Sequence, residues 1–197
     1  MTNEATPEAR ATGSAIDDAY LLALGRFVHA FSAVESTMHS LLVYHAGLSM
    51  GAGAALLSGV RVKAAMDSLN RLFEYWKNDV ERATLLKPFK QLSEILGVRD
   101  DLLHYGAQED QFGELFVTNV ERKHLPERAT TRQISIADLE AMTSDLRIIR
   151  NHFIASMGLR GRSDWATPEF VAAFNRELEL PWRYKTRPSI PLPKKRS

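Results

Sequence analysis

The chain has 197 residues, of which 45% are hydrophobic and 25% charged, so its size and composition fit one globular domain with a sizeable core. The formal net charge is +1 at pH 7, which does not indicate a nucleic-acid-binding protein for the chain as a whole. Cysteine is absent, which excludes disulfides, a thiolate nucleophile and Cys-ligated zinc, and which suits a reducing cytoplasm. No apolar run approaches the roughly 20 residues of a membrane helix, and residues 1–14 are polar, as in a mobile leader and unlike a secretory signal.

The apolar residues of the first half predict two long helices. From about residue 16 to residue 46 they recur in steps of three and four, the pattern of a bundle helix. The positions are Tyr20, Leu24, Phe27, Phe31, Val34, Met38 and Leu41. Residues 47–53 are rich in Gly, Ser and Ala and predict a link. A second helix is expected over residues 54–76, with Leu57, Val60 and Trp76 among its inward side chains.

A third helix is expected to begin at Asn78 or Asp79, which can cap it. Pro88 must either kink this helix or begin a separate one. The apolar stripe after Pro88 again steps by three and four, and Gly106 can end the helix. Its positions are Phe89, Leu92, Leu96, Arg99 and Leu103.

Residues 107–134 differ from the helical segments because they contain a β-prone run. Residues 115–120 can pair with residues 130–134 across a polar link, which predicts a small inserted hairpin. Ser135 then resembles a helix N-cap, with Asp138 at the third position of a capping box. A fourth long helix is expected to end near residue 157.

The last predicted helix starts at Thr167 and stops at Pro181. We therefore predict a mainly α fold, a four-to-five-helix bundle with a small inserted β-hairpin. Its expected parts are a leader (1–14), the bundle (15–160), a C-terminal helix (161–180) and a basic Pro-rich tail (181–197).

Arg99 and Glu35 are misfits of opposite charge on the predicted apolar faces of their helices. Charged side chains are almost never fully buried unless they are paired. The two residues are therefore expected either to pair or to line one polar pocket. The alternatives are a purely structural salt bridge and an arginine that reaches the rim.

The run Arg99-Asp100-x-x-x-His104, followed by Tyr105-Gly106, resembles the Arg-polar-x-x-x-His signature of HEPN domains. These are small helical bundles of prokaryotic toxin–antitoxin, phage-defence and RNA-processing systems. The stretch from Leu24 to Glu35 also resembles what often precedes that motif. The resemblance covers about residues 15–157, and the six-residue motif is its diagnostic part.

The resemblance implies RNA cleavage without a metal ion, since the 2′-hydroxyl of RNA is its own nucleophile. His104 would be the general acid or base and Arg99 would bind the scissile phosphate. Asp100 would orient Arg99 or His104, and Glu35 would hold Arg99. The family site usually forms at the two-fold axis of a homodimer. No cofactor is implied, and the remaining histidines show no metal-ligand spacing.

Two features of the motif are unfavourable. Five residues of helix rotate His104 about 140° away from Arg99, so the two would not share one stripe of a continuous helix. The run Arg147-Ile148-Ile149-Arg150-Asn151-His152 has the same spacing. We interpret it as a chance match, because its second residue is apolar and no glycine follows.

The tail from Trp182 is basic, carries no acid and interleaves aromatic residues with Arg183, Lys185 and Arg187. An RNA-contacting arm has this composition. So does a disordered solubilising tail, which is the commoner case. Three functions therefore follow: a HEPN-type endoribonuclease, a non-catalytic HEPN-like module that binds a partner protein such as an antitoxin or RNA, and a plain helical scaffold.

Overall fold

The computed structural model describes residues 16–110, 112–118, 130–159, 167–187 and 190–191. The helices are α1 (Asp18–His45), α2 (Met50–Leu57), α3 (Val62–Trp76), α4 (Asp79–Tyr105), α5 (Ile136–Ile154) and α6 (Pro168–Leu178). A π-helical turn, Ala155–Leu159, follows α5. The strands are β1 (Gln108–Glu109), β2 (Leu115–Thr118), β3 (Thr130–Gln133) and β4 (Ile190–Pro191). The predicted leader, the whole polar hairpin link (121–129) and the last six residues of the tail lie outside the described residues.

The fold is mainly helical with a small antiparallel sheet, which confirms the predicted class. Helix α1 packs most extensively against α5 and next against α3, while α4 packs against both α5 and α3. One continuous apolar core joins these helices and receives side chains from β2. The long helices form because each presents apolar residues every three or four positions, and burying those faces stabilises the bundle.

The sheet extends the hairpin that the sequence predicts. Strand β2 pairs with β3, with Phe116 opposite Gln133 and Thr118 opposite Thr131. The two-residue strands β1 and β4 flank this pair, so the order is β1-β2-β3-β4.

The helix ends follow the capping chemistry of the sequence. Asn78 accepts the backbone N–H of Glu81 at the start of α4. Ser135 and Asp138 form the predicted capping box at the start of α5. Gly106 ends α4 with a φ of 67°, a left-handed conformation that glycine adopts without strain.

The predicted link and second helix are wrong in detail. Residues 50–53 already belong to α2, whose N-cap is Ser49. Gly59 has a φ of 79° and breaks the predicted helix into α2 and α3. Trp76, expected to face the core, is 48% exposed, because α3 ends there.

Helix α4 runs through Pro88 as one helix, but its predicted stripe is shifted beyond Leu92. The buried residues there are Ile95, Val98 and Leu102. This row steps from Leu92 by three, three and four residues, whereas the predicted row begins with a step of four. Both rows satisfy helical periodicity. Arg99 therefore lies beside the buried row, and Leu103 is 47% exposed.

Within the described residues, no single helix has the length and apolar character to cross a membrane; α1 and α2 satisfy that test only when taken together, and they are bent by 116°.

Candidate functional site

Arg99 lies on the last two turns of α4 and is fixed on two sides. Its Nη1 donates to Asp100 Oδ1 at 2.9 Å, and its side chain is 29% exposed. Its Cζ lies 5.1 Å from the centroid of the Phe31 ring on α1, a cation–π distance. Its Nε is buried and has no hydrogen-bond partner among the described residues. The guanidinium is thus held in place while part of its donor capacity is unused.

Glu35 does not hold Arg99. The carboxylate is half-buried one helical turn after Phe31, and the part of the chain that the structure describes shows no ion pair between it and Arg99. The expected pair is wrong because Asp100, adjacent in sequence, supplies the carboxylate instead. Asp100 therefore has the positioning contact that the resemblance assigned to it or to Glu35.

His104 is exposed on the last turn of α4. Its ring lies 6.4 Å from that of Tyr105, in an edge-to-face arrangement. It makes no hydrogen bond to Arg99 within the described residues, as the rotation of about 140° between positions five apart predicts. One protomer thus presents a fixed arginine and a free imidazole at the same end of one helix.

The second Arg-x4-His run lies on the last two turns of α5. Arg147 is exposed, with its Nη2 3.9 Å from Glu177 Oε1. His152 is half-buried, and its ring lies 6.1 Å from that of Trp182. In the first run the arginine is partly buried and the histidine is exposed, whereas in this run the arginine is exposed and the histidine is half-buried.

A groove of about 540 Å³ runs between α1 and α5. Four arginines and a histidine line it, with Glu140 as its carboxylate. They are Arg26 and His29 on α1, Arg147 and Arg150 on α5, and Arg183 of the C-terminal segment. The space between the helices stays open because the side chains of Ala23, Ala30 and Ala33 are small. Sequence analysis missed this site, because its cations come from three separated segments.

Asp145 is the most buried charged residue of the described chain, with 0% exposure. Its Oδ1 accepts the backbone N–H of Arg183 at 2.8 Å. Its Oδ2 accepts the backbone N–H of Tyr184 at 2.9 Å and Gln91 Nε2 at 2.8 Å. Burial raises the pKa of Asp145, and these hydrogen bonds oppose that shift. Asp145 thus anchors the segment after α6 to the bundle.

The tail therefore differs from the disordered interpretation where the structure describes it. Tyr184 is buried, and burial raises the pKa of its hydroxyl. Arg187 pairs with Asp138 at 3.1 Å, which takes its charge away from the groove. Lys185 is exposed and lines a different cavity, against α4. Of the three predicted RNA-binding cations, Arg183 alone lines the basic groove.

A second polar cluster joins α1, α4 and the π-helical turn. His45 Nε2 lies 3.0 Å from Ser156 Oγ, and Ser156 Oγ donates to Glu81 Oε2 at 2.7 Å. Burial lowers the pKa of His45, while the charge of Glu81 opposes that shift. Because the single hydroxyl proton of Ser156 goes to Glu81, His45 is not placed to act as a base for this serine.

Among the described residues, no group of three or more histidine, aspartate or glutamate side chains is placed to hold a metal ion. No family model, curated protein or solved structure matches this chain.

Proposed function

We propose that this protein is a HEPN-like endoribonuclease of the toxin or defence type, acting in the cytoplasm as a homodimer. The observation that carries the proposal is the geometry of Arg99-Asp100-x-x-x-His104. Arg99 is fixed by Asp100 and Phe31, and His104 is exposed at the end of the same helix. A fixed cation and an exposed imidazole are two of the groups that metal-free cleavage of a phosphodiester uses.

The chemistry would use the 2′-hydroxyl of RNA as the nucleophile. One His104 takes the 2′-hydroxyl proton while the O2′–P bond forms, and the P–O5′ bond breaks as the leaving oxygen receives a proton. Arg99 stabilises the charge that builds on the non-bridging phosphate oxygens. The products are a 2′,3′-cyclic phosphate and a 5′-hydroxyl end.

A dimer would supply the second imidazole. Base and acid act on opposite sides of the phosphorus, and each chain contributes one motif of this kind. In a two-fold dimer both copies of α4 would present Arg99 and His104 to one cleft. The separation of the two side chains within one protomer is compatible with such a shared site.

The test is cleavage of a labelled single-stranded RNA by the full chain in EDTA. We expect products with cyclic phosphate ends, and no cutting of DNA of the same sequence. Arg99→Ala and His104→Ala should each abolish cleavage while circular dichroism shows an intact fold. Arg71→Ala, which removes an exposed arginine of α3, is the matched control and should cut normally. Cleavage that survives in both site variants contradicts the proposal.

A second candidate is a non-catalytic HEPN-like module that dimerises or binds a partner protein, such as an antitoxin, or RNA. The observation in its favour is a set of exposed apolar side chains at the turn between α3 and α4, formed by Tyr75, Trp76 and Val80. Such side chains are typical of an interaction surface. A folded wild-type dimer that leaves RNA intact in the same assay supports this candidate.

A further inference from the structure

We infer that the basic groove between α1 and α5 binds the phosphates of a single RNA strand, at a site separate from Arg99 and His104. The inference shares with the proposed function its substrate class, RNA, but it does not require that the chain cleaves. Its basis is the convergence of Arg26, Arg147, Arg150 and Arg183 on one groove in a chain whose net charge is only +1.

The groove and the Arg99 site lie on different sides of α1. The ring of Phe31 meets Arg99, whereas Ala30 and Ala33 line the groove. At about 100° per residue, Phe31 is rotated by roughly 100° from Ala30 and roughly 200° from Ala33. A ligand in the groove therefore leaves the motif on α4 uncovered.

The guanidinium groups are accessible to a ligand. Arg26, Arg150 and Arg183 are exposed, and no ion pair of their side chains occurs among the described residues. Arg147 has a carboxylate oxygen of Glu177 at 3.9 Å, too far for a hydrogen bond, and its side chain is 59% exposed. Glu140 opposes them as the groove's own carboxylate. Glu177 lies beside Arg147, and the charge of Arg183 also acts on Asp145. With four arginines and one glutamate in its lining, the groove still carries an excess of positive charge.

The shape favours an extended ligand with several anionic groups. The residues of α5 that line the groove run from Glu140 to Arg150, a rise of about 15 Å. A single phosphate would reach only part of this length. Helices packed against each other lie about 8–10 Å apart, so the groove between them is too narrow for a duplex of nucleic acid. A single strand satisfies both limits.

The residue types favour phosphate over other anions. The cations that line the groove are arginines, whose planar guanidinium makes paired hydrogen bonds to phosphate oxygens. The alanines and Leu146 give the groove an apolar lining against which sugars and bases can pack. Arg183 enters the groove because Asp145 fixes its backbone N–H. The site is therefore built by the fold.

The test is fluorescence anisotropy with a labelled 12-nucleotide 2′-O-methyl oligouridylate and the full chain. This probe has no free 2′-hydroxyl, so binding is measured whether or not the chain cleaves RNA. The double variant Arg26→Ala/Arg150→Ala should bind about 10-fold or more weakly. Its slope of log affinity against log salt should fall by about 1.4, since each lost contact to a single strand contributes roughly 0.7. The matched control is Arg61→Ala/Arg71→Ala. It removes two exposed arginines, one at the N-cap of α3 and one within α3, and it should bind as the wild type does.

Three outcomes overturn the inference. Equal weakening by the two double variants shows a general charge effect, and unchanged binding by Arg26→Ala/Arg150→Ala places the strand elsewhere. Displacement of the probe by ATP or by an oligoglutamate as readily as by unlabelled oligouridylate assigns the groove to a nucleotide or an acidic peptide. Failure of cleavage with retained groove-dependent binding contradicts only the proposed function.

Discussion

The two Arg-x4-His runs have the same spacing in two helices of one bundle and opposite arrangements. On α4 the arginine is fixed and the histidine is free, because Asp100 and Phe31 hold Arg99 while His104 is exposed at the helix end. On α5 Arg147 is exposed and lines a groove, with Glu177 at 3.9 Å, and His152 is packed against Trp182. Spacing therefore defines neither site. The neighbours of each side chain determine what it can do.

The largest expected difference between the two runs is the effect of replacing their histidines on the rate of RNA cleavage. His104→Gln should lower the rate of RNA cleavage by about 10²- to 10⁴-fold, the range for loss of a general acid or base. The matched variant His152→Gln should cut as the wild type does, because the half-buried ring of His152 packs against Trp182. Single-turnover cleavage of one labelled RNA measures both. Equal rates for the two variants contradict the distinction.

Asp145→Ala tests how much the hydrogen bonds of the buried Asp145 carboxylate contribute to the stability of the α5 region. The change leaves the N–H groups of Arg183 and Tyr184 and the amide of Gln91 without their buried acceptor. We expect the free energy of unfolding to fall by about 3 kcal/mol. Urea denaturation measures this loss, and faster hydrogen exchange at residues 183–184 locates it. Glu140→Ala, on the exposed face of the same helix, should change stability by less than about 0.5 kcal/mol.

Phe31→Leu tests whether cleavage by the α4 site depends on the cation–π contact between Arg99 and the Phe31 ring. A cation–π contact contributes about 1 kcal/mol, so cleavage should slow by about fivefold. Phe27→Leu removes a comparable volume from the same core without touching Arg99, and it should retain the wild-type rate at temperatures where both variants are folded. A similar slowing in both variants would assign the effect to core packing.

The smallest expected effect is the pH dependence of the α5 anchor. Because burial raises the pKa of Asp145, the folded state takes up this proton at a higher pH than the unfolded state does. Stability from this group therefore rises as pH falls through its folded pKa toward the ordinary value of 3.8. The wild type should gain stability relative to Asp145→Asn between pH 7 and pH 4, as urea denaturation can show. If the Asn variant instead gains stability relative to the wild type over this pH range, the predicted direction of the pKa shift of Asp145 is wrong.

The fold class follows from the sequence because periodicity and capping act locally. Three local features need no partner from a distant segment: the apolar row of α1, the capping box at Ser135, and the end of α4 at Gly106. The α4 stripe shows the limit of this method. Two rows one residue apart satisfy the same period, and contact with the other helices decides between them. That choice moves Arg99 from the centre of the buried face to its edge.

The partners of buried charges were not predictable in the same way. Asp145 lies three residues after Met142 on the buried face of α5, so it was as much a misfit as Glu35 and could have been noticed. Its partners could not, since two of them are backbone N–H groups 38 and 39 residues later. The candidate site on α4 was found because its residues are contiguous. The groove was missed because tertiary packing assembles it.

The hydrogen bonds of Asp145 also set an order of events during synthesis. The carboxylate enters the chain 38 residues before the backbone N–H of Arg183 that it accepts. At about 5–20 residues per second, translation supplies that donor roughly 2–8 s later. Through this interval α5 has a carboxylate on its core face whose two backbone partners have not yet been made. Until residues 183–184 have been made, the buried carboxylate lacks both backbone donors and the basic groove lacks Arg183.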